Sequence, residues 1–315
     1  MKILAVAHNL DSAVAYYRLL QPLVSITDNC VFKTYDSVSW ADINIADNIV
    51  VSKPDSPIGL RLIQQARMIN KYVIVDWDDD LLNVPRWAFS NHHINNNKKV
   101  ILECLNAANH VWVSTSSIGK SIRTVSKVNY SVVPNSWTLN FTNKPSARNK
   151  VAIWRGSVYH HEDTLILNNI NDTIKKFQDW TFLFIGMPPF YIDDDLKNVV
   201  HIEEMSISGY FSFLQHVNAS LMFTPLVKNA FNMGKSNISW LEATYAGLNY
   251  VGMDFGEFEK LKGTVKCSED NFVEVLEAQL TLPFNELSVK ISRNQLTEEF
   301  HIDKINKIRL ETLNE

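Results

Sequence analysis

The sequence predicts an α/β protein built as two doubly wound parallel-sheet domains. Three observations carry that prediction: short, almost continuously apolar runs, segments of helical period between them, and one polar interruption near the middle of the 315 residues. A strand covered on both faces loses the polar alternation of a surface strand, so such runs suit a parallel sheet flanked by helices. The length is too great for one ordinary core and about right for two domains of roughly 150 residues each.

In the first half the expected strands are KILAVA (2–7), NIVVSK (48–53), KYVIVDW (71–77), HVWVST (110–115) and YSVVPN (130–135). Helical segments at 12–25, 57–70, 97–109 and 116–127 separate them. In the second of these, Ile58, Leu62, Ile63, Ala66 and Ile69 share one face, with Ser56 placed to cap the helix and Pro57 in its first turn. The polar stretch SWTLNFTNKPSARNK holds the expected linker, 141–150, which divides a domain at 1–140 from one at 151–290. Beyond it the alternation restarts. VAIWRGS (151–157), a helix at 162–177, WTFLFIG (180–186) and a helix near 207–217 come first. ASLMFTPL (219–226), a helix near 234–246, LNYVGMD (248–254), GTVKCS (263–268) and a helix at 270–281 complete the second sheet. Residues 291–315 have helical period and no strand.

Composition excludes several classes. Apolar residues at 46% with 20% charged residues describe a globular chain. No apolar run approaches the roughly 18 residues of a membrane span, so no transmembrane segment is expected. The opening MKILAVAHNLDS reads as a first strand rather than a signal peptide. Cys30, Cys104 and Cys267 are far apart and form no CxxC pair, which argues for a reducing, cytoplasmic setting without disulfides or structural zinc. A net charge of −4 and the lack of a Lys/Arg-rich run give no general attraction to nucleic acid.

In open α/β sheets ligands sit beyond the carboxyl ends of the strands, so the residues just after each strand are the ones to examine. The densest such cluster is PLVKNAFNMGKSNISWLEATYAG (225–247). A helix expected to start near Gly234 offers backbone N–H groups, and with Lys235 and Ser236 it suits a phosphate. Glu242, two turns on, suits the paired hydroxyls of a ribose. In isolation a Lys-Ser pair before a helix is as readily a capped surface loop. One crossover earlier, Arg155, Gly156 and Ser157 make a similar turn, in which glycine admits a close approach and arginine pairs with phosphate. His160 and His161 read as surface residues at a helix entry, and Gly186 in FIGMPP marks a third such turn, near a base or ribose.

Taken in order, YYRLLQP, VIVDWDDDLLNVP, VWVSTS, VVPNS, IWRGSVYHHED, FIG and FTPL…FNMGKSNISWLEATYAGLNYVG resemble a GT-B glycosyltransferase of the family 4-like group found in bacteria and phages, over roughly residues 1 to 270. The resemblance implies two Rossmann-like domains facing across a cleft, with the final helix packing back on the first. It implies a UDP- or GDP-sugar donor, held by the second domain as a substrate and not as a resident cofactor. Lys235 and Arg155 would then meet the leaving diphosphate, Gly156, Ser157, Gly186 and Ser236 would line the nucleotide, and Glu242 would face the ribose. The acceptor, bound by the first domain, would be a glycan, a lipid carrier, a protein or a hydroxymethylated base in DNA. Retention of anomeric configuration without a metal ion is implied as well. The chain departs from the family where Gly234 replaces the first of two glutamates eight residues apart, leaving Asn232 as the substitute for sugar recognition. It departs again where the usual Gly-Arg order with a following lysine becomes Arg155-Gly156 with His160 and His161. A nucleotide-sugar epimerase and a non-catalytic two-domain sugar-binding protein share the architecture.

Four aspartates, Asp76, Asp78, Asp79 and Asp80, follow the third apolar run. They satisfy a DxD pattern formally and could bind a divalent cation, or end a strand in solvent. The favoured reading is an acidic element facing the cleft, with Asp78 or Asp79 as general base for an acceptor hydroxyl. Other acceptor-side candidates are His8 and Ser12, then Arg18, which could reach a donor phosphate, and His92 with His93, for which a plain surface loop is the stronger reading.

Overall fold

The apolar runs form strands, and each half of the chain assembles six of them into an all-parallel sheet. A computed structural model describes the chain except residues 89, 139, 143–146, 158–159, 161, 168, 188, 190, 194 and 315, so His161 and the middle of the expected linker lie outside the described residues. Two units result. One is Met1–Thr138 with Gly234–Ser236 and Phe300–Glu315, the other Leu139–Met233 with Asn237–Glu299.

In the first unit the strands are β1 (Ile3–Ala7), β2 (Cys30–Thr34), β3 (Asn48–Ser52), β4 (Tyr72–Trp77), β5 (His110–Val113) and β6 (Asn129–Val132). Their order, β2-β1-β3-β4-β5-β6, reverses direction between β1 and β3. The two-residue period of a strand sorts its side chains onto two covered faces. Leu4, Val6, Ile49, Val51, Val73, Val75, Val111 and Val113 pack on one face. Ile3, Ala5, Val50, Ile74 and Trp112 pack on the other, joined by Ile305 and Leu313 of the last helix. That helix, Ile302–Leu313, is also tied by polar bonds: Trp112 Nε1 donates to Thr312 Oγ1 at 2.8 Å, Asn48 Nδ2 to the Leu313 carbonyl at 3.0 Å and Asn306 Nδ2 to the Pro22 carbonyl at 3.0 Å.

In the second unit β7 (Val151–Gly156), β8 (Thr181–Gly186), β9 (Val199–Ile202), β10 (Leu221–Phe223), β11 (Asn249–Met253) and β12 (Val265–Cys267) run in the order β12-β11-β10-β7-β8-β9, which reverses between β7 and β10. These reversals leave a crevice where adjacent crossovers depart to opposite sides of the sheet.

Several local expectations shift. Strands β2 and β9 are additional, edge strands whose residues stay partly exposed and so lack a continuous apolar run. The helix expected near Gly234 begins at Ile238, preceded by a single turn at Asn232–Gly234. The helix expected at 162–177 is a turn at Asp163–Leu167 followed by a helix at Ile170–Lys176. Ser56 occupies the cap position but its side chain makes no capping bond. Ser12 does cap: its hydroxyl accepts from the Ala15 N–H at 3.1 Å, at the start of a helix interrupted by a π turn at Tyr16–Leu20. Among the described residues no helix is long and apolar enough to cross a membrane.

Candidate active site

At the carboxyl end of the first sheet the four aspartates separate into distinct environments. Asp76 ends inside β4, 0% exposed, and binds Arg18, 1% exposed, with Nη2–Oδ1 at 2.6 Å and Nε–Oδ2 at 3.0 Å. Arg18 Nη1 donates to the Val133 carbonyl at 2.6 Å and to Asn135 Oδ1 at 3.1 Å. The guanidinium expected to reach a phosphate is thus committed to the interior of its own unit. Asp80 is a turn residue, accepting from Ser121 Oγ at 2.6 Å, Asn83 Nδ2 at 2.8 Å and the Leu82 N–H at 3.2 Å.

Asp78 and Asp79 meet lysines instead. Lys53, directly after β3, sits 3.2 Å from Asp78 Oδ1 and 2.9 Å from Asp79 Oδ2. Lys235 Nζ lies 2.9 Å from Asp79 Oδ1. Burial would raise the Asp79 carboxyl, but Lys235 and Lys53 overcome it and hold it well below the usual carboxylate range. For Asp78 burial prevails over Lys53, with Asp79 and Asp76 adding to it, and its pKa rises. Lys53, which burial would lower, is raised above its ordinary value by Asp78 and Asp79. Among the described residues no group of three or more histidines, cysteines and acids is arranged to hold a metal ion.

The segment Gly234–Ser236 is held by the same unit: Thr115 Oγ1 donates to the Gly234 carbonyl at 3.2 Å, and Asn135 Nδ2 to Ser236 Oγ at 2.8 Å. A Cβ at Gly234 would come within 3.2 Å of both Asp80 Cβ and Ile118 Cγ1, a tight fit that a side chain would enter only by displacing them slightly. His8, directly after β1, binds Asp55, and Asp55 also binds His93. It is His93, not His92, that joins His8. His92 pairs along its own helix with Asn96, Nε2 to Nδ2, at 2.9 Å.

At the carboxyl end of the second sheet Gly156 and Gly186 are cross-strand partners in β7 and β8. A Cβ on Gly186, whose φ is +87°, would fall 2.2 Å from the Gly156 carbonyl oxygen, so only glycine fits this approach. Beside them Arg155 forms a two-point pair with Glu242, Nε–Oε2 at 2.5 Å and Nη2–Oε1 at 2.9 Å. Glu242, on helix Ile238–Ala246, is 2% exposed while Arg155 is 28% exposed. The Tyr210 hydroxyl donates to Glu242 Oε2 at 3.1 Å, and burial, reinforced by Glu242, pushes its pKa well above the ordinary phenol value, which keeps it a donor. Asn232, the expected sugar contact, is an interior residue: its amide donates to Asp163 Oδ1 at 2.6 Å and to the Val227 carbonyl at 2.8 Å. His160 Nδ1 lies 2.9 Å from the same buried Asp163.

Lys53, Asp55, Tyr210 and Asp163 were not singled out as site residues by sequence, and for His93, as for His92, a surface loop was the stronger reading. For Lys53 and Asp55 the signal existed, since they lie one and three residues beyond a strand. Tyr210 stands mid-helix in an apolar pattern, which hides its role.

No protein-family model and no curated protein matches the sequence. Solved structures do resemble it. HepE of Anabaena in complex with UDP-glucose superposes with a TM-score of 0.71 at 13% identity, over 100% of this chain and 99% of that one. An alpha-glucosyltransferase in complex with UDP and a 13-mer DNA containing an HMU base gives 0.65 at 10% identity, covering both chains fully (100%). TarM of S. aureus gives 0.60 at 14% identity over 85% of this chain, which spans about half (55%) of TarM. These likenesses show the fold, and it is GT-B, with two Rossmann-type six-stranded parallel sheets.

Proposed function

We propose that the protein transfers a glycosyl group from a nucleotide-diphosphate sugar, in the first place a UDP-sugar, to an acceptor hydroxyl. The observation that carries the reading is the Arg155–Glu242 pair beside Gly156 and Gly186, at the reversal point of the second sheet. Burying a carboxylate with a guanidinium gains little for the fold, because desolvation roughly cancels the attraction. Such a pair, its arginine partly exposed at the carboxyl end of β7, serves a ligand better than it serves the core.

In this reading Glu242, held by Arg155 and Tyr210, accepts from ribose hydroxyls, and Arg155 meets the diphosphate. Lys235 and Ser236 precede helix Ile238–Ala246, and a diphosphate competes with Asp79 for the lysine. Negative charge grows on the departing diphosphate as the sugar takes on oxocarbenium character, and fixed cations and backbone donors lower that barrier. Attack on the same face, with retention and without a metal ion, is the route proposed. The UDP and UDP-glucose held by the structural neighbours favour uridine as the base. A glycan, lipid carrier, protein or hydroxymethylated DNA base would supply the acceptor hydroxyl.

The test is steady-state release of nucleotide diphosphate from a panel of nucleotide-sugars, with and without EDTA. Turnover of a UDP-sugar that EDTA does not reduce and that Lys235→Ala and Glu242→Ala abolish is the expected result. Strict Mn²⁺ dependence abolished by Asp78→Ala would overturn the metal-free route, and a wild type that cleaves no donor would overturn the transferase itself.

A further inference from the structure

The second sheet has another end. At the amino ends of its strands, opposite to the ends that carry Gly156 and Gly186, lies a pocket of about 380 Å³. Lys150, Trp180 and Ser220, which directly precede β7, β8 and β10, line it together with Asn249, the first residue of β11. Gln279 and Leu280 of helix Phe272–Thr281 and the segment 282–284 complete the lining. Pockets of roughly 300–1,000 Å³ take small organic molecules, so this one has room for such a ligand.

Arg148, three residues before β7, brings a guanidinium to the pocket. Its Nη2 donates to the Gly247 carbonyl at 2.9 Å and its Nη1 to Asn218 Oδ1 at 3.5 Å, both neutral acceptors. Its Nε is buried and, among the described residues, has no hydrogen-bond partner. Arg148 Cζ lies 4.7 Å from the centroid of the Phe284 ring, which covers one face of the guanidinium and leaves its N–H edge to a ligand. A second guanidinium stands close by. A Cβ on Gly247 would meet Arg293 Nη2 at 2.7 Å and Arg148 Nη2 at 3.2 Å. Arg293 also bonds to carbonyls, of Thr142 at 2.8 Å and Thr244 at 3.4 Å, and neither set of bonds includes a carboxylate. Burial, and then Arg293, hold Arg148 below its ordinary pKa, with Glu286 opposing. Lys150 differs, being paired with Asp179. Guanidiniums drawn out of water without a counter-ion are costly, and a dianion at Arg148 offsets both charges.

The rest of the lining is apolar. Trp180 and Leu280 are buried, while Leu282 is exposed at the rim. Gln279 makes no side-chain hydrogen bond among the described residues and can donate to a ligand oxygen. We propose that this pocket binds a phosphomonoester carried on a small apolar or aromatic body, with the phosphate on Arg148 and the body against Trp180, Leu280 and Leu282. The guanidinium supplies charge-assisted donors to the phosphate oxygens, and burial of the body sets the ligand apart from free phosphate. The site is separate from the Arg155–Glu242 pair, and its existence does not depend on the glycosyl-transfer reading.

The probe is phenyl phosphate, titrated calorimetrically into the full chain, with inorganic phosphate and benzyl alcohol as separate titrants. One site per chain is expected, retained in Arg155→Ala, which excludes the carboxyl end of the sheet. Inorganic phosphate should bind about tenfold or more weakly for want of the apolar body, and benzyl alcohol should not bind. Arg148→Gln should weaken phenyl phosphate about 10–100-fold. Because that change also touches the bond to Gly247, Gln279→Trp serves as a second variant. It fills the pocket without removing either arginine and should abolish binding at an unchanged urea midpoint. No binding by the wild type, or binding that both pocket variants leave intact, overturns the site. Binding lost in Arg155→Ala overturns it too, by placing the probe at the other end. Inorganic phosphate that binds as tightly as phenyl phosphate overturns the proposed ligand class. The transferase reading stands in each case.

Discussion

The two sheets end in opposite electrostatic styles. In the first unit Lys53, Asp78, Asp79 and Lys235 form a lattice in which each charge already faces an opposite one, over the buried Arg18–Asp76 pair. In the second, the Arg155–Glu242 and His160–Asp163 pairs stand apart, near two glycines whose missing side-chain positions are taken by the Trp154 ring and the Gly156 carbonyl. Sheets of one architecture therefore end in a connected lattice of charges on one unit and in separate ion pairs on the other. A separate pair with a partly exposed arginine suits an anionic ligand, while a lattice of paired charges suits hydroxyls and protons.

Arg18→Ala should break the first side hardest, because it leaves the buried Asp76 without its hydrogen-bonded countercharge. Stability should drop by about 3–5 kcal/mol, read as a lower urea midpoint. Next in size, Arg155→Ala should lower donor cleavage about 10²–10³-fold in kcat, and because it strips the buried Glu242 of its countercharge the urea midpoint should fall too, by less than for Arg18→Ala since Arg155 is itself partly exposed. Gly186→Ala sharpens the contrast from the second side. Its positive φ and the 2.2 Å approach to the Gly156 carbonyl should cost about 1–3 kcal/mol and weaken donor binding in calorimetry.

The smallest effect is acidic. Asp79, held below its ordinary value of 3.8, contributes stability fully above that pH and loses it as the pH falls lower. Asp78, raised by burial, contributes with the opposite sign. Asp79→Asn should therefore flatten the acid limb of a stability–pH curve, and an unchanged limb would dissolve the lattice picture.

Much of the fold was legible because buried strands write themselves as apolar runs: β1, β3, β4, β5, β7, β8 and β11 each fall inside one. Edge strands do not. CVFKT and VVHI mix exposed and buried positions, and nothing local separates them from loops. The helix start near Gly234 was misjudged by four residues because Gly234, Lys235 and Ser236 are drawn to Thr115, Asp79 and Asn135, partners more than a hundred positions away. For the site, the strand-end rule found Arg155, Glu242 and His8 as individuals. Their pairings, Arg155 with Glu242 at 87 residues' separation and His8 with Asp55 at 47, depend on which strands become neighbours, and a single sequence does not state that. Arg18 and Asn232 show the converse: polar residues near a strand end that the fold turns inward.

The most direct measurement is calorimetric titration of UDP-glucose into wild type and Arg155→Ala. The account predicts one site per chain in the wild type and at least a tenfold weaker one in the variant. Binding that Arg155→Ala leaves intact, or no binding by the wild type, would contradict the claim that the glycine-lined end of the second sheet holds a nucleotide-sugar.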